Sequence, residues 1–253
     1  MPDPWLMIGA VGLGAMAAGF VQGASGFAFS LVAMALWAWT LPPQIAAPLA
    51  VFGALLGQAA SLTLARDGFD FKRVAPLVVG GALGAPIGVF LLHNTDPVRF
   101  KLAIGTLLTL YGLYGLLVRH PPRVKAGGGG LDAFVGLVGG ALAGLGGMSE
   151  ALPPIWARLR GWKRNLERAA TPVYAIATLA LTLAAYASTG TLDATAFRLF
   201  ALVAPAMLIP SYIGARLHRR GGEKAFTRVA LALLLASGMA LLVVGGRALR
   251  AGR

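Results

Sequence analysis

Long apolar runs with almost no charge recur along this chain, and they restrict its fold more than any other feature. Val74 to Leu92 carries no ionisable acid or base, while Pro43 to Ala65 and Thr171 to Ala196 carry at most one charge each, near an end. A helix rises 1.5 Å per residue, so about 20 apolar residues cover the roughly 30 Å of a bilayer's hydrocarbon. Buried core helices of a soluble domain do not account for several such runs in one chain. Charged residues make up 12% of the sequence, about half the share usual in soluble domains. The expected class is an all-α integral membrane protein, with the lipid bilayer as its first partner.

The net charge of +13 raises the question of nucleic acid, and the charge pattern answers it. Lys and Arg fall in short clusters between apolar runs, as positive-inside loops do, with no continuous basic face to form a groove. There is no Cys, hence no disulfide and no thiolate metal site, and His93, His120 and His218 are far apart. No metal and no cofactor are expected. Met1-Pro2-Asp3-Pro4 lacks the basic start of a secretory signal, so Trp5 to Gln22 is read as retained.

Pro121-Pro122-Arg123 followed by Gly127 to Gly130 reads as a linker (121–130) between an N-terminal unit, 1–120, and a C-terminal unit, 131–253. The units look homologous. Ile87-Gly88 matches Ile213-Gly214, Phe100 matches Phe226 and Gly112 matches Gly238, all at one offset. Each begins with a glycine-broken apolar segment and continues with three long helices. The broken segments divide into Trp5–Gln22 and Phe27–Trp39, and into Leu131–Ala143 and Met148–Ala157. Most of these pieces are too short to cross alone, so each pair is either one kinked span or a re-entrant hairpin.

Charge chooses between these. With two hairpins, each half crosses three times and the halves are inverted repeats. One face then holds Arg66, Lys72, Arg73, Arg119, Arg123, Lys125, Arg158, Arg160, Lys163, Arg164, Arg168, Arg216, Arg219, Arg220, Lys224 and Arg228, sixteen of the 22 Lys and Arg. The other holds Arg99, Lys101, Arg198, Arg247, Arg250 and Arg253. Eight kinked crossings would give 12 to 10. The uneven split fits the positive-inside rule. It favours six spans plus two hairpins, the basic face cytoplasmic and both termini outside.

Irregular backbone at membrane depth survives only where protein or a water-filled cavity covers it, and inverted repeats with broken helices mark secondary transporters. The expected substrate site therefore lies at the midplane between the two tips: Gln22, Gly23, Ala24, Ser25 and Gly26 from the first, Gly144, Gly146, Gly147, Met148 and Ser149 from the second. Free N–H groups at the start of each returning arm favour an anion. The competing reading is close helix packing, which glycine and serine also serve. Trp39 and Trp156 are candidate walls, although an interfacial belt is their default. Glu150 is the one acid inside an apolar hairpin. Intramembrane carboxyls are costly and usually functional, and an apolar setting disfavours the charged form, so Glu150 is the candidate for proton coupling. An ion pair with Arg158, or a structural hydrogen bond, is the plain alternative. Gln58, Thr63, Thr106, Thr178 and Thr182 more often bond neighbouring helices than ligands.

Gly19-Phe20-Val21-Gln22-Gly23-Ala24-Ser25-Gly26-Phe27 resembles the opening of the sulfite exporter TauE/SafE (TSUP) family. Gly146-Gly147-Met148-Ser149, Pro153-Pro154-Ile155-Trp156, and Leu159-Arg160-Gly161-Trp162 with Arg168-Ala169 are similar to it in the same order. The resemblance covers nearly the whole chain. It implies a non-enzymatic membrane transporter for sulfite, sulfonates, sulfoacetate and related compounds, with an anion site at the glycine-rich tips. The family pattern more often has a small residue where Glu150 stands, and the absence of Cys separates this chain from relatives that pass thiosulfate along cysteines. A carrier of carboxylates or metal ions and a non-transporting membrane assembly partner are the alternatives. A homodimer is a further candidate partner. No nucleotide-binding motif and no nucleophile–base pair point to ATP drive or catalysis.

Overall fold

The computed structural model describes residues 4–62, 70–118, 122–124, 127–218 and 223–251. Arg66, Arg119, Lys125, Arg219, Arg220 and Arg253 of the charge pattern, Thr63, His120 and Pro121 lie outside the described residues. The described chain is helical throughout: α1 (Pro4–Ser25), α2 (Phe29–Thr40), α3 (Pro43–Leu62), α4 (Phe71–Asn94) and α5 (Pro97–Leu117) before the linker, then α6 (Gly128–Gly146), a 3-10 turn (Met148–Ala151), α7 (Pro153–Leu159), α8 (Arg164–Ser188), α9 (Ala194–His218) and α10 (Glu223–Ala251). Eight of these are long and apolar enough to cross a membrane; α2 and α7 are not. Large apolar side chains such as Leu83, Phe90, Ile209 and Leu233 stand exposed on the outside, as lipid-facing residues should.

Both broken segments turn back on themselves. The Trp37 indole on α2 donates to the Ala10 carbonyl on α1, and the Val124 amide before α6 donates to the Leu159 carbonyl at the end of α7. The outgoing arms are longer than the sequence suggests, however. Helix α1 continues through Gly23 to Ser25, and α6 runs from Gly128 to Gly146. Glycine weakens a helix in water because its backbone is free. Here neighbouring helices use the missing side chains as contact points. A Cβ on Gly23 would strike the Ser211 carbonyl of α9, and one on Gly140 the Gly81 carbonyl of α4.

The closest helix pairs are α4 with α6, α1 with α9 and α5 with α10. Gly80, Gly84 and Gly88 of α4 lie against backbone of α6, and Gly136, Gly140 and Gly144 answer from the other side. Four-residue spacing puts each trio on one stripe, so the two backbones approach closely. The α1–α9 crossing repeats this plan: Gly19 and Gly23 meet α9, and Gly214 meets Phe20 and Ala24. Gly112 on α5 packs on α10, while Gly238 on α10 packs on α5. Glycines matched at one sequence offset thus occupy reciprocal contacts.

The face opposite the arginine-rich end is tied by polar contacts. The Thr191 hydroxyl, before α9, lies 2.9 Å from His93 Nε2 at the end of α4. Asp96 caps α5 by accepting from the Val98 and Arg99 amides, and the Arg99 amide holds its carboxyl below the usual range.

Candidate functional site

A cavity of about 640 Å³ lies at the arginine-rich end. Gly23, Ala24, Ser25, Gly26 and Phe27 of the first tip form one wall, with Gln58 and Ser61 of α3 beside them. Arg158 of α7 and Arg164, Glu167 and Arg168 of α8 face them. Arg158 and Glu167 pair at 3.4 Å. Arg164 and Arg168 have no acidic partner among the described residues and are exposed. A ligand entering here meets a net positive wall and a bare backbone, a combination suited to a small anion. No cluster of metal-ligating side chains occurs among the described residues.

The tip is built by its own side chains. Gly26 and Ala28 adopt positive φ, 78° and 84°, which lets the chain reverse between α1 and α2. Gln22 Oε1 accepts from the Phe29 amide at 3.0 Å, capping α2 across the turn. The Ser25 hydroxyl lies against the Val21 and Phe27 carbonyls. The N–H of Phe29 is therefore engaged rather than free, and Gln22 and Ser25 hold the tip's shape. Gly23 serves packing as well as the cavity, while Gly26 has open space around it.

The second tip lies elsewhere. Gly144, Gly146, Gly147, Met148 and Ser149 do not line the cavity. Gly147 sits against Ala50 and Val51 on α3, whereas Gln22 sits against Gly57. Those contacts are seven residues apart along one helix, about 10 Å. The two tips therefore meet α3 at different levels along its length. Gly144 packs on α4, and its carbonyl accepts from the Tyr186 hydroxyl at 2.6 Å. Met148 and Ser149 are fully buried, and Ser149 Oγ has no hydrogen-bond partner among the described residues.

Glu150, beside that tip, is fully buried. Its Oε1 accepts from the Ser30 amide at 3.3 Å and the Ser30 hydroxyl at 3.1 Å, and its Oε2 from Gln58 Nε2 at 2.8 Å. The carboxyl thus sits at the N-terminus of α2, whose positive end favours negative charge. It forms no ion pair with Arg158. Between the ion pair with Arg158 and the hydrogen bond, the structure has the hydrogen bond. Gln58, which sequence reasoning left among helix-bonding residues, touches both Glu150 and the cavity. The cavity arginines entered the sequence argument only as topology charges.

Neither candidate tryptophan lines the cavity. Trp39 donates to Ser237 on α10 at 3.2 Å. Trp156 is buried and donates to Asp132 at 2.7 Å, and Asp132 also takes Arg160 Nε at 3.0 Å. This cluster ties α7 back to the start of α6. Asp132→Asn should lower stability by about 1–2 kcal/mol, because the amide keeps one acceptor for the indole but loses the charge facing a mostly buried guanidinium. Thermal unfolding in detergent measures it, and an unchanged midpoint would remove the cluster's structural role.

No curated protein and no solved structure matches the chain. The family model described as Sulfite exporter TauE/SafE matches residues 11–241, a range that contains both tips, the cavity-lining residues and Glu150. The chain belongs to the sulfite exporter TauE/SafE family of membrane transporters.

Proposed function

We propose that this protein is a secondary transporter of small sulfur-containing anions, of the sulfonate, sulfoacetate or sulfite type, in a bacterial inner membrane. The substrate binds in the cavity between the first tip and the cationic wall of Arg158, Arg164 and Arg168. The observation that carries the reading is the joining of backbone at Gly23–Gly26 with two guanidinium groups that have no acidic partner among the described residues, in one cavity. Sulfonate and sulfite oxygens accept several hydrogen bonds at once, and arginine's planar fork offers several donors. The halves act as inverted repeats. The reciprocal pairing of α1 with α9 and of α6 with α4 supports this, as does the ending of α1 at the end of the molecule where α6 starts, by the contacts of Gly26 with Ser61 and of Asp132 with Arg160. The second tip, deeper and buried, forms the closed side of the substrate path, and Glu150 couples proton movement to it.

The test is ligand-dependent stability of the purified full chain. Methanesulfonate and sulfite should raise the unfolding temperature saturably, and acetate of matched charge should do so less. Arg168→Gln should weaken the sulfonate effect about tenfold in concentration, the worth of a charge-assisted hydrogen bond. Equal stabilisation by acetate would point to a carboxylate carrier; no stabilisation by any anion would remove the cavity as an anion site.

A further inference from the structure

Gln58 lies between the cavity and the buried carboxyl, and its amide is only half used. Its Nε2 donates to Glu150 Oε2, while its buried Oε1 has no hydrogen-bond partner among the described residues. An ionised carboxylate can only accept, so Gln58 must turn its NH₂ edge toward it. The carbonyl edge is then the unpartnered polar group of a buried side chain that borders the cavity, and a carbonyl oxygen repels an anion.

Protonation inverts this. Glu150 Oε1 takes two hydrogen bonds from Ser30 and Oε2 one from Gln58, so an incoming proton is placed on the less occupied Oε2, the oxygen facing Gln58. That O–H then needs an acceptor in a buried setting, where an unmade hydrogen bond is costly. Gln58 supplies Oε1 by turning its amide through half a rotation, an easy motion for a terminal sp² group. The turn carries the NH₂ edge away from Glu150.

We propose that Gln58 is a protonation-dependent gate on anion affinity: it shows the cavity a carbonyl oxygen when Glu150 is ionised and an amide donor when Glu150 is protonated. The proposal rests on the cavity being the anion site. One proton, taken up by the Glu150 carboxylate, accompanies each anion bound, so a monoanion and its proton move as a neutral pair.

The other titratable and charged groups around Glu150 are accounted for by element. Helices α1, α2 and α3 bring none to it. Helix α5 brings Tyr111 within electrostatic reach. Helix α6 carries Asp132, bound to Trp156 and Arg160. Helix α7 brings Arg158, paired with Glu167 of α8. Helix α8 also brings Arg164 and Arg168 at the cavity, and Tyr174 and Tyr186, whose hydroxyls donate to the Gly136 and Gly144 carbonyls.

The experiment measures methanesulfonate affinity of the full chain from mildly acidic to mildly alkaline pH; this probe keeps one negative charge throughout. Wild type should bind about tenfold more tightly on the acid side. Gln58→Met, of similar length but without the amide's donor or acceptor edge, should bind with one affinity at every pH, between the acid and alkaline values of wild type. Glu150→Gln should bind with the acid affinity at every pH. Its new carbonyl is held by the Ser30 amide, so its NH₂ faces Gln58 and demands the Oε1 edge. If Gln58→Met does not fold, Glu150→Gln decides alone. A flat wild-type profile, a wild-type profile kept in Gln58→Met, or alkaline-type affinity in Glu150→Gln overturns the gate and leaves the anion site standing. Absence of binding by wild type at every pH overturns the anion site itself, and the gate with it.

Discussion

Gly140→Leu should yield little or no folded protein, with a stability loss of about 3 kcal/mol or more. Gly140 lies in the middle of the α4–α6 crossing, where an added Cβ meets the Gly81 carbonyl and, at 2.9 Å, the Ala85 amide. Backbone in a helix cannot move aside as a flexible side chain can. The two helices must instead separate, which also lifts Gly84 and Gly136 from their contacts. In a bilayer this matters more than in water. Lipid is as apolar as leucine, so separated helices gain nothing from the hydrophobic effect, and close packing supplies much of the association. Gly9→Ala in α1 is the matched comparison. Nothing lies within 4 Å of its Cβ position, so it should be neutral or stabilising by up to about 1 kcal/mol, from propensity alone. Monodispersity and thermal unfolding in detergent read both. A Gly140→Leu protein as stable as wild type would mean that the glycine stripes do not hold the bundle together.

The same stripes mark the limit of what the sequence made legible. Apolar runs such as Val74 to Leu92 disclosed the membrane helices, because length and charge are local properties. The linker and the constant offset of Gly88 to Gly214 pointed to two related units, and the glycines so matched lie in reciprocal contacts. Glu150 stood out because a single carboxyl in an apolar hairpin has no local explanation. What a glycine does inside an apolar run is not local. Gly23 reads as a helix break when its partner is unknown, and as a contact point once Ser211 is placed against it. The long outgoing arms follow from that change. The site divided along the same line. Gly23 to Gly26 were named from the break in pattern and do line the cavity, whereas Gly144 to Ser149, named on the same ground, lie apart from it. Arg158, Arg164 and Arg168 could not be assigned to the cavity from spacing, since their approach to Gly26 depends on how α7 and α8 pack. Gln58 was hidden for the same reason: an amide in a span has many uses, and only the placement of Glu150 ninety-two positions away selects one.

Glu150→Ala should cost about 3–5 kcal/mol and abolish transport, whereas Glu150→Gln should leave stability within about 1 kcal/mol of wild type. The difference follows from the donors that Glu150 satisfies. Alanine leaves the Ser30 amide, the Ser30 hydroxyl and Gln58 Nε2 aimed at a void, each buried, and adds the cavity left by the missing side chain. Glutamine keeps an acceptor for Ser30 and offers an NH₂ edge to which Gln58 can turn its oxygen. Interhelical hydrogen bonds in membranes are often worth under about 1 kcal/mol, because the separated helices find other partners. This set should exceed that figure, since three donors from two helices converge on one carboxyl. A double-mutant cycle between Glu150→Ala and Gln58→Met isolates the shared part, expected at about 1–2 kcal/mol. Thermal unfolding of the four proteins in detergent gives both quantities. If Glu150→Ala unfolds at the same temperature as Glu150→Gln, the carboxyl does not tie the second hairpin to α2 and α3. Any transport defect in the alanine variant would then belong to its chemistry and not to a lost fold.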